Sequence, residues 1–136
     1  MSRDFRPKLP LDDEQLSVLR DGGTEAPFSG KYLQHDADGL YTCAACGAKL
    51  FMSDQKYESN QRGLEGWPSF GEAVNQQTIE LRPDNSFGMS RTEAVCANCG
   101  GHLGHVFDDS SSPTGKHYCI NSVCLGFQPK DKKSES

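Results

Sequence analysis

The chain is poor in large aliphatic side chains. Among 136 residues Ile occurs twice and Val five times. With 11 Leu and seven Phe they make up about 18% of the sequence, under the roughly 20% below which a charged chain tends not to fold by apolar burial alone. No run of about 18 apolar residues exists, which excludes a membrane-spanning helix. Met1 to Pro7 lacks the apolar stretch of a secretory leader, so a cytoplasmic location is expected. Nor is there a basic excess: the net charge is −5, which argues against a nucleic-acid partner. The one basic run, Lys130 to Lys133, is broken by Asp131 and reads as part of a solvated tail.

What the chain does contain is turn-forming and reactive: 14 Gly, six Cys, four Tyr and a single Trp, Trp67. That balance predicts one folded domain whose small core is helped by something covalent or metallic. Where thiols stay reduced, six cysteines read as metal ligands or catalytic groups rather than disulfides. Residues 1–10 read as a flexible arm, 11–128 as the domain and 129–136 as a polar tail. Leu11, Leu16, Val18 and Leu19 share a helical face, Asp12 is a natural N-cap, and Gly22-Gly23 stop the helix near Arg20. Beyond Asp36 the pattern becomes short strands, at about 39–43, 48–52, 78–81, 89–96, 102–107, 116–121 and 125–128. Pro83-Asp84-Asn85 is the best hairpin turn. The fold class expected is mainly β (α+β), antiparallel, with a short N-terminal helical segment.

Cys43-Ala-Ala-Cys46-Gly47 and Cys96-Ala-Asn-Cys99-Gly100 are two C-x-x-C-G knuckles. Paired, they supply the four thiolates of a closed tetrahedral zinc site, one that stabilises and does not catalyse. Their separation exceeds the usual ribbon spacing of about 15–20 residues, so the pairing must arise in three dimensions. Two separate redox pairs, or a site made of Cys96, Cys99, His102 and His105, are the alternatives.

Cys119 and Cys124 remain. On a strand, His117, Cys119 and Asn121 point the same way, and a protonated His117 or Lys116 would favour the Cys119 thiolate. A half-buried strand cysteine is the plain alternative. His102-Leu-Gly-His105-Val-Phe107-Asp-Asp109 follows the second knuckle, which can fix the direction of imidazoles able to hand over a proton near neutral pH. Gly66-Trp67-Pro68-Ser69-Phe70 is either core or an apolar wall for a small methylated group.

Taken together and in order, these motifs resemble the type B methionine sulfoxide reductase family. The resemblance runs from about Asp12 to Phe127 and includes Thr24-Glu25-Ala26-Pro27-Phe28-Ser29-Gly30. It implies two antiparallel β-sheets, one structural zinc on Cys43, Cys46, Cys96 and Cys99, and reduction of methionine-R-sulfoxide in oxidised proteins. Cys119 would attack the sulfoxide sulfur and become a sulfenic acid. His102 and His105 would supply and polarise the proton, oriented by Asp109. Asn121 would hold the substrate or water network, and Trp67, Phe107 and His117 would line the substrate pocket. A monomer is the expected form.

The sequence departs from the family pattern twice. Many members carry arginine where this chain has His117, which replaces a permanent charge by a titratable one and predicts a steeper loss of activity at alkaline pH. Many place a resolving cysteine just before Gly-Trp-Pro-Ser-Phe, where this chain has Glu65. Cys124 is the remaining thiol. In a straight strand it would lie about 16 Å from Cys119, beyond the ~7 Å of a disulfide, so it resolves Cys119 only if the chain bends at Asn121-Ser122. The other route is direct reduction by thioredoxin, glutaredoxin or glutathione. Two rival functions are a zinc-stabilised interaction module without catalysis and a metal hydrolase ligated by His102 and His105; the latter lacks an H-E-x-x-H-type motif.

Overall fold

The computed structural model describes residues 5–33, 35, 37–57, 66–75, 77–85, 88, 90–109 and 114–129. Glu65 and Lys130 to Lys133 lie outside the described residues. Among the described residues no helix is long and apolar enough to cross a membrane.

Helix α1 (Asp13–Leu19) starts at a reciprocal cap. The Asp12 carboxylate accepts the Gln15 N–H at 2.8 Å, while the Gln15 side chain accepts the Asp12 N–H at 2.9 Å. Gly22, at φ 77°, turns the chain away after the helix, which buries Val18 and Leu19.

The strands are β1 (Gly39–Cys43), β2 (Lys49–Met52), β3 (Lys56–Tyr57), β4 (Ser69–Phe70), β5 (Ile79–Asp84), β6 (Arg91–Cys96), β7 (His102–Asp108), β8 (Lys116–Ile120) and β9 (Leu125–Pro129). They form two antiparallel sheets, ordered β2-β1-β9 and β3-β4-β8-β7-β6-β5. This is the mainly β, two-sheet architecture expected, with α1 as its short helix.

Two local differences have physical reasons. Pro83 and Asp84 lie inside β5, paired with Thr92 and Arg91, rather than in the hairpin turn. An edge strand has one unpaired side, and there a proline's missing N–H costs no ladder bond. β3 and β4 are two residues each, too short to show any alternation in the sequence.

The shortage of aliphatics is met by aromatic rings where the sheets face each other. Phe51 of β2 stacks on Phe70 of β4 at 4.3 Å and 15°, and Tyr41 of β1 meets Phe70 edge-on at 5.2 Å. All three are fully buried. The first knuckle joins β1 to β2 and the second joins β6 to β7, so a metal shared by both would cross-link the two sheets. The N-terminal segment runs across both knuckles, with Arg6 N–H on the Cys99 carbonyl and the N–H groups of Lys8 and Leu9 on that of Ala45.

Candidate active site

Each knuckle closes in the same way. Gly47 and Gly100 adopt φ 80° and 81°, and each donates its N–H to the carbonyl of its first cysteine, Cys43 or Cys96, at 2.8 Å. The four sulfurs of Cys43, Cys46, Cys96 and Cys99 lie within 4.8 Å of one another, with Cys43–Cys99 and Cys46–Cys96 both at 3.7 Å. A tetrahedral zinc with Zn–S bonds of about 2.3 Å has sulfur–sulfur edges of about 3.8 Å, so the donors fit that ion. Without a cation the cluster does not ionise evenly. Thiol donors hold Cys96 low, whereas Cys43 is pushed far up by Cys96, Cys99 and burial. Among the described residues this is the one group of cysteine, histidine or carboxylate side chains placed to hold a metal. The cluster brought together is therefore the four thiols rather than Cys96, Cys99, His102 and His105, and among the described residues no set of three donors includes His102 and His105.

The second knuckle feeds directly into β7. His102 and His105 are three residues apart, which in a regular strand would put them on opposite faces. The β6–β7 register shifts between Ala94 and Val95: Gly104 faces Ala94 while His102 faces Val95, leaving Leu103 as an extra residue. This bulge returns both imidazoles to one face, with ring centroids 5.4 Å apart. The displaced Leu103 carbonyl accepts both the backbone N–H (3.0 Å) and the side-chain amide (2.9 Å) of Asn121. One irregularity thus positions three of the expected site residues.

Residues directly opposite in an antiparallel ladder share a face. Ser69, Cys119, His105 and Glu93 form one such row across four strands, and Phe107 pairs with His117 in the next. His105 Nε2 lies 2.7 Å from Asp84 Oδ2, and His102 Nδ1 lies 2.6 Å from Glu93 Oε2. The orienting carboxylates are therefore Asp84 and Glu93, whereas Asp109 accepts the Tyr57 hydroxyl at 2.8 Å and lies 3.8 Å from His117 Nδ1. Buried His102 Nε2 has no hydrogen-bond partner among the described residues.

Above this row a cavity of about 130 Å³ is lined by Thr24, Trp67, Arg91, Gly104, His105, Phe107, Cys119 and Asn121. Trp67 is fixed there by its indole N–H, which donates to the Glu25 carbonyl at 3.0 Å. The Glu25 N–H donates to Asn121 Oδ1 at 3.0 Å, tying Asn121 to the same segment. The structure therefore brings Cys119, His105, Asn121, Trp67 and Phe107 together around one cavity, with His102 beside His105.

His117 is not among the residues around the cavity. It is fully buried, with Nε2 2.7 Å from Ser69 Oγ. Burial lowers its pKa from 6.5, so it is neutral above pH 7 and carries no charge to lose at alkaline pH. The alkaline activity loss expected of it is therefore withdrawn, and so is the view that a charged His117 favours the thiolate. Burial, then the Glu25 carboxylate, push Cys119 itself up to about 12. Burial also lowers His105, against the pull of Asp84. The resting site is a protonated thiol beside a neutral imidazole.

The chain does bend at Asn121, entering a 3₁₀ turn over Ser122–Cys124. Cys124 is nonetheless fully buried in the core, its thiol donating to the His102 carbonyl at 3.2 Å. Sequence reasoning missed Thr24, Arg91 and Gly104 in the cavity and the Glu93 and Asp84 partners. Charged side chains on neighbouring strands were the available signal for the carboxylates, but their pairing depends on register.

A closed four-cysteine cluster able to hold a metal between two sheets stands next to a thiol and an imidazole that open into a small cavity. A family model described as "SelR domain" matches residues 11–129, and the chain belongs to that family. It is 52% identical over 124 residues to a peptide methionine sulfoxide reductase MsrB of Thiobacillus denitrificans, covering 91% of each chain. A protein of the same name from Methanosarcina mazei is also 52% identical over 124 residues, 91% of this chain and 86% of that one. The methionine-R-sulfoxide reductase B2, mitochondrial, of Danio rerio is 46% identical over 138 residues, 96% and 73% of the two.

Proposed function

We propose that this protein reduces methionine-R-sulfoxide in oxidised proteins, with Cys119 as the nucleophile. The observation that carries the reading is Cys119 directly opposite His105 in the β7–β8 ladder, both facing the Trp67-walled cavity. Trp67 and Phe107, which both line the cavity, supply apolar surface for the sulfoxide methyl group.

With the thiol held near 12, the nucleophile must lose its proton within the step, and neutral His105 is the acceptor opposite it. The sulfur lone pair of Cys119 attacks the sulfoxide sulfur, and the proton passes from His105 to the sulfoxide oxygen. His102 and Asn121 hold that oxygen's surroundings. Asp109 acts through Tyr57 and His117, on the side of the row away from His102. The oxygen ends on Cys119, giving a sulfenic acid and methionine: the thiol loses two electrons and the sulfoxide gains them. His117 supports the pocket from below through Ser69.

Recycling is by an external thiol such as thioredoxin, glutaredoxin or glutathione. One thiol displaces water from the sulfenic acid to form a mixed disulfide, and a second releases Cys119. The burial of Cys124 and its bond to the His102 carbonyl support this route over internal resolution. One zinc on Cys43, Cys46, Cys96 and Cys99 holds the two sheets together when bound, and the four cysteines themselves set the start of β7. The working unit is a monomeric domain over residues 11–128 in the cytoplasm.

The test is turnover on separated epimers of N-acetylmethionine sulfoxide with dithiothreitol as reductant. Consumption of the R epimer alone, abolished in Cys119→Ser, is expected. Equal turnover of both epimers, or none in a zinc-loaded folded protein, would overturn the proposal.

A further inference from the structure

Ala26-Pro27-Phe28-Ser29 is a tight turn closed by the Ser29 N–H on the Ala26 carbonyl at 3.3 Å and braced by the Ser29 hydroxyl on the same oxygen at 2.6 Å. Proline occupies the second position, where its fixed φ suits a turn. Phe28 follows at φ 64°, the left-handed region that such turns normally give to glycine. A bulky residue there is disfavoured on conformational grounds. Burial does not explain it either, because Phe28 is 70% exposed. A position that favours glycine thus presents a phenyl ring to solvent.

The turn is also anchored to the site. The Phe28 N–H donates to the Gly66 carbonyl at 2.8 Å. A Cβ on Gly66 would lie 2.5 Å from Pro27 Cβ and 2.9 Å from its Cα, so the two segments touch at the residue preceding Trp67. Thr24, at the other end of the turn's segment, lines the cavity. The other exposed large apolar side chains lack this link: Met52 and Leu81 are on the outer strands β2 and β5, and Leu9 is in the N-terminal segment.

We propose that Phe28 is a specificity-determining contact for polypeptide substrate, packing against an apolar side chain that neighbours the oxidised methionine in a locally extended segment. A cavity of about 130 Å³ suits a single side chain, which leaves the flanking residues of a polypeptide substrate to its rim. A ring carried on a hydrogen-bonded turn starts from a fixed backbone, which reduces the ordering needed on binding. Enzyme preference for peptide over single amino acid then comes from outside the reacting centre. This inference rests on the proposed reductase reading.

The experiment compares three substrates carrying methionine-R-sulfoxide: the N-acetylated amino acid amide, a hexapeptide with leucine beside the sulfoxide, and the same hexapeptide with serine there. Zinc-loaded wild type, Phe28→Ala, Phe28→Gly and Phe28→Tyr are assayed. Phe28→Gly suits the left-handed backbone, so its melting temperature should hold or rise, separating contact from folding. The ratio of kcat/KM for the leucine peptide over the amino acid amide is expected to fall about five- to tenfold in Phe28→Ala and Phe28→Gly. The loss should appear in KM, and Phe28→Tyr should retain the wild-type ratio. A ratio unchanged within twofold, or an equal loss on the serine peptide, would overturn the inference. If wild type turns over none of the three substrates, it is the reductase reading that falls, and this one with it.

Discussion

Gly104 is the tightest point of the site. A Cβ added there would run into the Cys119 carbonyl oxygen and lie 3.0 Å from both Cys119 C and Ile120 Cα. All three atoms are main chain, so no side-chain rotation relieves the overlap. β7 and β8 must part at the pair beside His105 and Cys119. Overpacking of this kind costs about 1–3 kcal/mol. For a domain of this length each kcal/mol lowers Tm by roughly 4 °C, so Gly104→Ala should melt about 4–12 °C below wild type. Because the displaced atoms carry the nucleophile, kcat/KM should fall more than about tenfold even at temperatures where the variant is folded. Gly126→Ala is the control: its nearest atom is Thr42 Oγ1 at 2.9 Å, on a side chain that can rotate, so a change within about 1 kcal/mol is expected. Thermal melts by circular dichroism in saturating zinc, with turnover of methionine-R-sulfoxide at 15 °C, give both readouts. Gly104→Ala with wild-type Tm and full activity would refute the reasoning.

With zinc bound at the four cysteines, a strong chelator should unfold the domain before it affects Cys119, because the knuckles come from different sheets. Far-UV circular dichroism and metal analysis, with one zinc lost per chain, check this, and a chelated protein that kept fold and activity would contradict it. Alkylation of Cys119 by iodoacetamide should be slow at pH 7 and rise about tenfold per pH unit toward 12, rather than levelling off near 9.0. The same shift has a stability sign. A folded thiol pKa above its unfolded value contributes stability that is fully present below about 9 and is lost as pH rises toward 12, so urea midpoints should fall over that window.

Much of this arrangement could be read from residue order, for reasons that differ element by element. The capping box at Asp12 and Gln15 and the two C-x-x-C-G turns are local, needing only neighbouring residues to form. Pairing of the knuckles followed from the number of thiols and their chemistry. What the sequence could not show depends on register. The bulge at Leu103 that turns His102 to the side of His105 is a property of β6 and β7 together. The partnership of Glu93 with His102 and of Asp84 with His105 comes with it. The neutrality of His117 comes from burial between Ser69, Asp109, Tyr57 and Phe107, which three separate segments supply, so its own neighbours in sequence do not show it. Likewise Cys124, five residues from Cys119, turned on a bend whose direction only the packing of the core determines.

The central claim is that Cys119 alone takes the oxygen and waits for an outside thiol. Fully reduced, zinc-loaded protein reacted with one equivalent of methionine-R-sulfoxide, without reductant, can be trapped with dimedone and its cysteines mapped by mass spectrometry. The account predicts a single dimedone adduct on Cys119, stoichiometric methionine, and Cys124 recovered as free thiol. A Cys119–Cys124 disulfide, or methionine formed with Cys119 unmodified, would contradict it.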